Sequence, residues 1–313
     1  MARDEPRFRL DLHKTLAAAQ LPALPPIAIR LLELSRDPNN GPAEFARPIE
    51  ADPGLASQVL RFVNSSYFGF THKISNLQQA IALLGTRAIK NFTLWNAVFA
   101  VLPNPKYGSF DLGVLWQDSL RRALFARAVA EILKTRPKDI DDVFAAALLQ
   151  DMAVPILAAA APPVYARLLE LRKEKQARLS RLEEQVFGWN HAKAAGAMAR
   201  QWKLPQEFVV LVESHLAVER LAAAARAEPA SFAVALSSLL PSGADPLWSD
   251  CQLLEGHYQR IADRSSPGFA ELLERIDDQF AQFAPLLRLS TPSKSLKESL
   301  CEATAKRVRE RPG

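Results

Sequence analysis

The sequence predicts an all-α protein, and three observations support this. Apolar residues recur at intervals of three and four along nearly the whole chain, which is the spacing of amphipathic helices. Alternating runs of β-branched residues, which indicate strands, are missing from the sequence. The 313 residues are 49% hydrophobic and 23% charged, the composition of a globular protein with enough apolar surface for one large core or two moderate ones.

Five helices are predicted before residue 102. A proline-rich lead-in at residues 21–26 precedes the first helix, and the turn-forming residues 37–42 end it. Asp52 followed by Pro53 is typical of a helix start, because aspartate caps free N–H groups and proline is tolerated at the first helical position. Asn76 gives a similar capping signal. The predicted helices cover residues 27–35, 43–51, 53–63, 76–84 and 86–101.

A loop at residues 103–109, with two prolines and a glycine, is the best candidate for a domain boundary. Long helices follow at 112–133 and 143–160, and Pro155 should kink or end the second of them. Another loop, residues 241–246, precedes further helices. We therefore predict an N-terminal segment 1–20, a helical subdomain 21–102, a second helical subdomain 110–240 and a helical C-terminal extension 241–313.

Charge and cysteine content exclude several classes of protein. The net charge is +5, but basic residues are mixed with acidic ones, as on solvated helix faces, so nucleic acid is not an expected partner. The two cysteines, Cys251 and Cys301, form no framework of disulfides or zinc ligands. The first residues are charged, and no apolar run reaches the roughly 20 residues of a membrane span. We expect a cytoplasmic protein that does not enter a membrane.

Five stretches, taken in order, carry a resemblance to a known family. They are 21–26 (LPALPP), 49–55 (IEADPGL), 60–69 (LRFVNSSYFG), 79–85 (QAIALLG) and 187–191 (FGWNH), the last followed by Gly196, Trp202, Leu204, Pro205 and His215. Over roughly residues 20–240 the chain resembles the HDOD family, a relative of the HD and HD-GYP phosphohydrolases. The resemblance implies an N-terminal helical bundle packed on an HD-like helical bundle. It also implies a mostly non-enzymatic role in bacterial signalling.

The resemblance further indicates where an HD metal site would lie. Such a site needs imidazoles and carboxylates that converge on one or two divalent ions. The corresponding positions hold Asp118, Gln150, Asp151, His191, His215 and, in a looser match, Ser238. Aspartate at 118 and glutamine at 150 stand where HD enzymes have histidine, and an amide is a weak metal ligand. We therefore predict a degenerate HD domain with no catalytic residue, metal or cofactor.

Three interpretations of the surviving polar groups stay open at this point. Asp151, His191 and His215, with or without Asp118, could hydrogen-bond to one another in a relic pocket. They could instead bind a transition metal if they converge. The histidines could also hold a small anionic ligand.

The loop at residues 64–73 has two interpretations as well. It combines turn formers with the aromatic residues Tyr67, Phe68 and Phe70. These rings could plug the core beneath a structural connection. Alternatively, they could anchor a partner, since exposed aromatic residues on a fixed loop are good contact sites.

The leading functional hypothesis is a non-catalytic HDOD-type regulatory module that acts by binding signalling proteins or a small ligand. The alternative is a residual metal-dependent phosphohydrolase that acts on nucleotides or cyclic dinucleotides. The C-terminal extension lies outside the resemblance, and we expect it to close the bundle, form a dimer or hold a partner. The sequence leaves the oligomeric state open.

Overall fold

The computed structural model describes residues 11–65, 68–106 and 108–309, and within them it contains helices and no strand, which confirms the all-α prediction. The first six helices are α1 (Leu12–Ala18), α2 (Pro26–Leu34), α3 (Pro42–Glu50), α4 (Pro53–Val63), α5 (Leu77–Leu84) and α6 (Thr86–Val101). Both predicted caps are present. Asp52 accepts a hydrogen bond from the Leu55 amide at 3.0 Å, and Asn76 accepts one from the Gln79 amide at 3.1 Å.

Nine helices form the second part of the chain. They are α7 (Leu112–Ile132), α8 (Pro137–Leu149), α9 (Ala153–Ala160), α10 (Pro162–Lys175), α11 (Leu179–Phe187), α12 (His191–Gln201), α13 (Gln206–Glu213), α14 (Val218–Ala223) and α15 (Pro229–Ser237). Helix α7 packs along α8, and α15 packs on both. Helix α6 also packs on α8, which joins the N-terminal helices to this second bundle.

The predicted kink at Pro155 is wrong. The chain leaves the helix earlier, at residues 150–152, and α9 begins at Ala153. Pro155 therefore lies in the first turn of α9, where amide N–H groups have no partner within the helix and proline is tolerated. The break matters for the site described below, because it places Gln150 and Asp151 in a turn between two buried helices.

The prediction that no apolar run is long enough to span a membrane is wrong for one segment. Residues 137–160, which form α8, the turn and α9, are long and apolar enough by length and composition. However, 83% of the most apolar window is buried inside the protein. The segment therefore packs as a core element of the bundle.

The C-terminal extension closes the bundle. It contains α16 (Cys251–Ile261), α17 (Phe269–Phe283), a 3-10 turn (Ala284–Leu287) and α18 (Leu296–Arg309). Helix α17 packs on α7. The Gln117 side chain on α7 donates to the carbonyl and hydroxyl of Ser290 at 3.0 and 2.8 Å, and Arg121 donates to the Lys294 carbonyl at 2.6 Å. Two buried polar side chains of α7 thus hydrogen-bond to the extension.

The N-terminal residues pack against the second bundle as well. Helix α1 contacts α9 and α12, and the Trp202 indole donates to the Pro22 carbonyl at 2.9 Å. A single hydrophobic core extends from Leu16 to Leu296. The four segments predicted from the sequence remain a prediction about domain boundaries.

Gly196 allows α12 and α13 to approach closely, and this gives a test of the packing. A β-carbon at this position would lie 2.8 Å from the β-carbon of Glu213. We expect Gly196→Ala to lower the free energy of unfolding by about 1–2 kcal/mol, the overpacking cost less the helix-propensity gain of alanine. Urea denaturation would measure it. The matched control is Gly256→Ala in α16, where a β-carbon meets nothing within 4 Å; it should be stabilising by about 0.5–1 kcal/mol.

Candidate functional site

Three separate elements bring Asp151, His191 and His215 together. Asp151 lies in the turn between α8 and α9, His191 is the first residue of α12, and His215 follows the end of α13. The Asn190 side chain caps α12 by accepting from the amides of Ala192 and Lys193 at 3.1 and 3.2 Å. This cap fixes the first turn of α12 and with it the His191 ring.

The geometry of the three side chains is that of a tight buried cluster. Their nearest donor atoms all lie within 4.8 Å of one another. The Nε2 atoms of His191 and His215 face the same Asp151 oxygen, Oδ1, at 3.3 and 3.6 Å. His215 is fully buried, and the other two residues are at most 6% exposed.

Each histidine ring is oriented by a second acceptor. Nδ1 of His191 lies 2.6 Å from Oε2 of Glu183, which also accepts from the His191 amide at 2.8 Å. The Tyr165 hydroxyl donates to the other Glu183 oxygen at 2.6 Å. Nδ1 of His215 lies 2.6 Å from the Val212 carbonyl. Both rings are thereby held with Nε2 toward Asp151, an orientation that protein metal sites commonly use.

Arg122 supplies a cation to the same cluster. Its guanidinium forms a salt bridge with Oδ2 of Asp151, the oxygen that the histidines do not face. The two side chains are 11% and 8% exposed, so solvent screens the pair weakly. Asp151 therefore has a positive group on one oxygen and two imidazoles on the other.

The pKa directions follow from these contacts. Burial alone would raise the pKa of Asp151, but the Arg122 guanidinium and the His191 imidazolium bring it well below its usual value. Burial opposes the protonation of His191, but the carboxylates of Glu183 and Asp151 raise its pKa to about 10. Burial lowers the pKa of His215. At neutral pH, His191 is an imidazolium between two carboxylates and His215 is neutral.

The remaining predicted residues lie around this cluster. Asp118 is buried and accepts from the Ser242 hydroxyl and, at 2.9 Å, from the Gly243 amide. It lines the same cavity as Asp151 and His191 but does not join their donor set. Gln150 is fully buried, and neither atom of its amide has a hydrogen-bond partner among the described residues.

A metal fits this site in part. One carboxylate and two imidazoles suit a single transition-metal ion with open coordination positions. A second ion has too few ligands among the described residues, since Gln150 offers only an amide and Asp118 does not join the donor set of the other three. The Arg122 guanidinium also stands beside the one ligand that is an anion.

The two described aromatic residues of the loop at residues 64–73 differ in their surroundings: one packs on the core and the other is exposed. Phe68 packs edge-on against Phe62 on α4, with ring centroids 5.0 Å apart. Phe70 stacks at 6.2 Å from Phe68 and is 38% exposed. Tyr67 lies outside the described residues. The Asn64 side chain donates a hydrogen bond to the Ile74 carbonyl and accepts one from the Ile74 amide, both at 2.7 Å, so it connects the two ends of the loop.

Three residues of the cluster, Arg122, Glu183 and Tyr165, are not predicted by the sequence motifs. Arg122 lies one helical turn after Asp118, so it shares that face of α7. Glu183 is a single acidic residue within the apolar face of α11 and is fully buried. A lone charge in an apolar stripe signals a buried partner, and this signal was present in the sequence.

Comparisons with known proteins identify the family of the chain. The model of the HDOD domain matches residues 21–218, more than half of the chain. An uncharacterized protein of Treponema pallidum (strain Nichols) is 23% identical over 201 residues, which are 63% of this chain and 38% of that protein. The chain therefore spans well under half of that relative.

Solved structures share the fold. An HDOD domain protein of unknown function from Geobacter sulfurreducens is 23% identical and has a TM-score of 0.66, over 88% of this chain and 99% of that one. A Marinobacter aquaeolei VT8 protein, named provisionally for signal transduction, is 20% identical with a TM-score of 0.58, over 96% and 62%. A Shewanella amazonensis SB2B protein, named provisionally as a phosphohydrolase, is 17% identical with a TM-score of 0.59, over 93% and 100%. The chain belongs to the HDOD domain family.

Proposed function

We propose that this protein is a non-catalytic regulatory module of cytoplasmic bacterial signalling, which acts by binding signalling proteins or a small ligand. The observation that carries the proposal is the salt bridge between Arg122 and Asp151. In a hydrolytic HD site, metal ions neutralise the aspartate and activate water. Here a guanidinium, which has no ligand atom and stays protonated, neutralises it instead.

The loss of ligands at two other positions supports the same proposal. Asp118 is bound to Ser242 and Gly243, and Gln150 offers an amide where an imidazole would be needed. The name of the Marinobacter aquaeolei relative is compatible with a signalling role. Partners of this kind would contact the surface of the bundle, for which exposed Phe70 is one candidate.

A second candidate function, a metal-dependent phosphohydrolase, is favoured by the orientation of the two histidines. Both Nδ1 atoms are held by acceptors and both Nε2 atoms face Asp151. Asp151, His191 and His215 would hold the ion, whose chemistry is to lower the pKa of a water molecule. Deprotonation of His191 and displacement of Arg122 would have to accompany binding.

The test is the metal content of the purified protein, measured by elemental mass spectrometry before and after incubation with manganese, iron or zinc. We expect far less than one ion per chain. In Arg122→Leu, metal affinity should rise at least about tenfold, because the substitution removes a positive charge that would repel the metal ion beside Asp151. Arg200→Leu is the matched control, since Arg200 pairs with Glu213 on the surface.

The opposite result would be one ion per wild-type chain that is lost in His191→Ala. If that ion also supported hydrolysis of a cyclic dinucleotide, the protein would be an enzyme and the regulatory proposal would be wrong. Unchanged affinity in Arg122→Leu would show that Arg122 does not exclude the metal.

A further inference from the structure

A cavity of about 370 Å³ opens beside the histidine cluster, and its walls carry four arginines and five aspartates. Asp151, His191 and Arg122 form part of one wall. Two further arginines, Arg172 near the end of α10 and Arg178 just before α11, form another. The remaining wall is the segment 241–250, which we call the latch loop; it joins α15 to α16.

The latch loop supplies the carboxylates that these two arginines bind. Asp245 accepts two hydrogen bonds from Arg172, from Nε and Nη2, each at 2.6 Å. Asp250 accepts one from Nε of Arg178, also at 2.6 Å. The arginines belong to the helical wall, whereas both counter-charges belong to a loop.

The charge balance of the cavity depends on that loop. Arg122 pairs with Asp151, and His191 lies between Glu183 and Asp151, all in the helical framework. Asp118 on α7 is a further buried carboxylate that lines the cavity. Without the latch loop, Arg172 and Arg178 would lose these hydrogen-bonded ion pairs, and Arg172 would keep only the longer-range attraction of Asp118 and Asp151. Arg181 also lines it, is exposed, and has no ion pair among the described residues.

Arginine pairs with carboxylate and phosphate through the same planar fork of N–H groups. The two-bond contact of Asp245 on Arg172 is therefore the geometry that a phosphate would adopt. A phosphate group carries more charge than a carboxylate, so it can compete for a site that already holds one. The cavity volume is in the range of small-molecule sites, and Leu115, Leu239 and Trp248 give it an apolar part.

We propose that this cavity binds a small organic molecule bearing phosphate, whose phosphate displaces Asp245 or Asp250 from Arg172 or Arg178. The two aspartates then act as built-in competitors for the ligand. The inference rests on the proposed function, in that the pocket binds the ligand without turning it over, and it names the class of ligand.

Calorimetric titration with inorganic pyrophosphate tests the proposal on the full chain. Arg172→Gln should weaken binding at least about tenfold, because it removes charge-assisted hydrogen bonds. Asp245→Asn should tighten binding by a similar factor, because it removes the competing charge. Asp250→Asn tests the pair of Arg178 with Asp250 independently. The experiment can therefore still be interpreted if the Asp245 variant fails to fold. The controls are Arg200→Gln and Asp278→Asn, at surface positions away from the cavity.

Two results would overturn the anion site. One is equal affinity in the wild type and Arg172→Gln. The other is the absence of any gain in both asparagine variants. Orthophosphate release is measured in the same samples, so that the two proposals can fail separately. Metal-dependent release would contradict the non-catalytic function, whereas failure to bind pyrophosphate would remove only the anion site.

Discussion

Glu183→Ala is expected to lower the free energy of unfolding by about 3–5 kcal/mol, as is usual when one partner of a buried ion pair is removed. Glu183 is fully buried and accepts three hydrogen bonds, from the Tyr165 hydroxyl and from the amide and ring of His191. Its loss leaves a buried imidazolium that, among the described residues, pairs with Asp151 alone. Urea denaturation followed by circular dichroism would measure the change.

The matched control is Glu170→Ala. Glu170 pairs with Arg167 at 3.2 Å on the exposed face of α10. Exposed pairs of this kind contribute about 0–1 kcal/mol, so the control should be nearly neutral. If both substitutions cost the same, the Glu183 network would contribute no more than a surface pair, and the imidazolium assigned to His191 would be wrong.

The metal-free protein should lose stability between about pH 6.5 and 10. His191 has a pKa of about 10 in the folded state against 6.5 for an ordinary histidine. A raised pKa contributes stability that is fully present below 6.5 and is lost as the pH rises toward 10. The loss should be on the order of a few kcal/mol, since each pKa unit corresponds to about 1.4 kcal/mol.

Unfolding free energies at pH 7 and 9.5, measured with a chelator present, would test this. His191→Gln removes the titrating group, so the variant should show a much smaller loss over the same interval. Lysine and tyrosine titration affects both proteins and cancels in the difference. Equal losses in the two proteins would contradict the raised pKa. His215 has the opposite sign: its pKa is lowered, so its contribution is lost as the pH falls through and below 6.5.

Local patterns predicted the helices well because a helix is determined by neighbours three and four residues apart. The caps at Asp52 and Asn76 were predicted for the same reason. The kink predicted at Pro155 was wrong, because proline disrupts a helix only in its interior and is tolerated in the first turn, where Pro155 lies. The sequence alone gave no sign that the break would fall at residues 150–152.

The site was predictable only in part. The resemblance pointed to Asp151, His191 and His215, and the structure brings them together. Arg122 and Glu183, which shift the pKa values of Asp151 and His191, lie outside the five stretches that carry the family resemblance. Contacts of the latch loop cross 124 residues between Asp118 and Ser242 and 73 between Arg172 and Asp245. No local periodicity reports contacts over such separations.

The hydrophobic core of this protein extends beyond the segment that matches its family. The HDOD match ends at residue 218, yet the buried side chains of Gln117 and Arg121 donate hydrogen bonds to Ser290 and Lys294. A fragment cut at the family boundary would expose one face of α7 with orphaned polar groups and an open core. Expression fragments and gene fusions that borrow this module therefore have to carry its C-terminal helices with it.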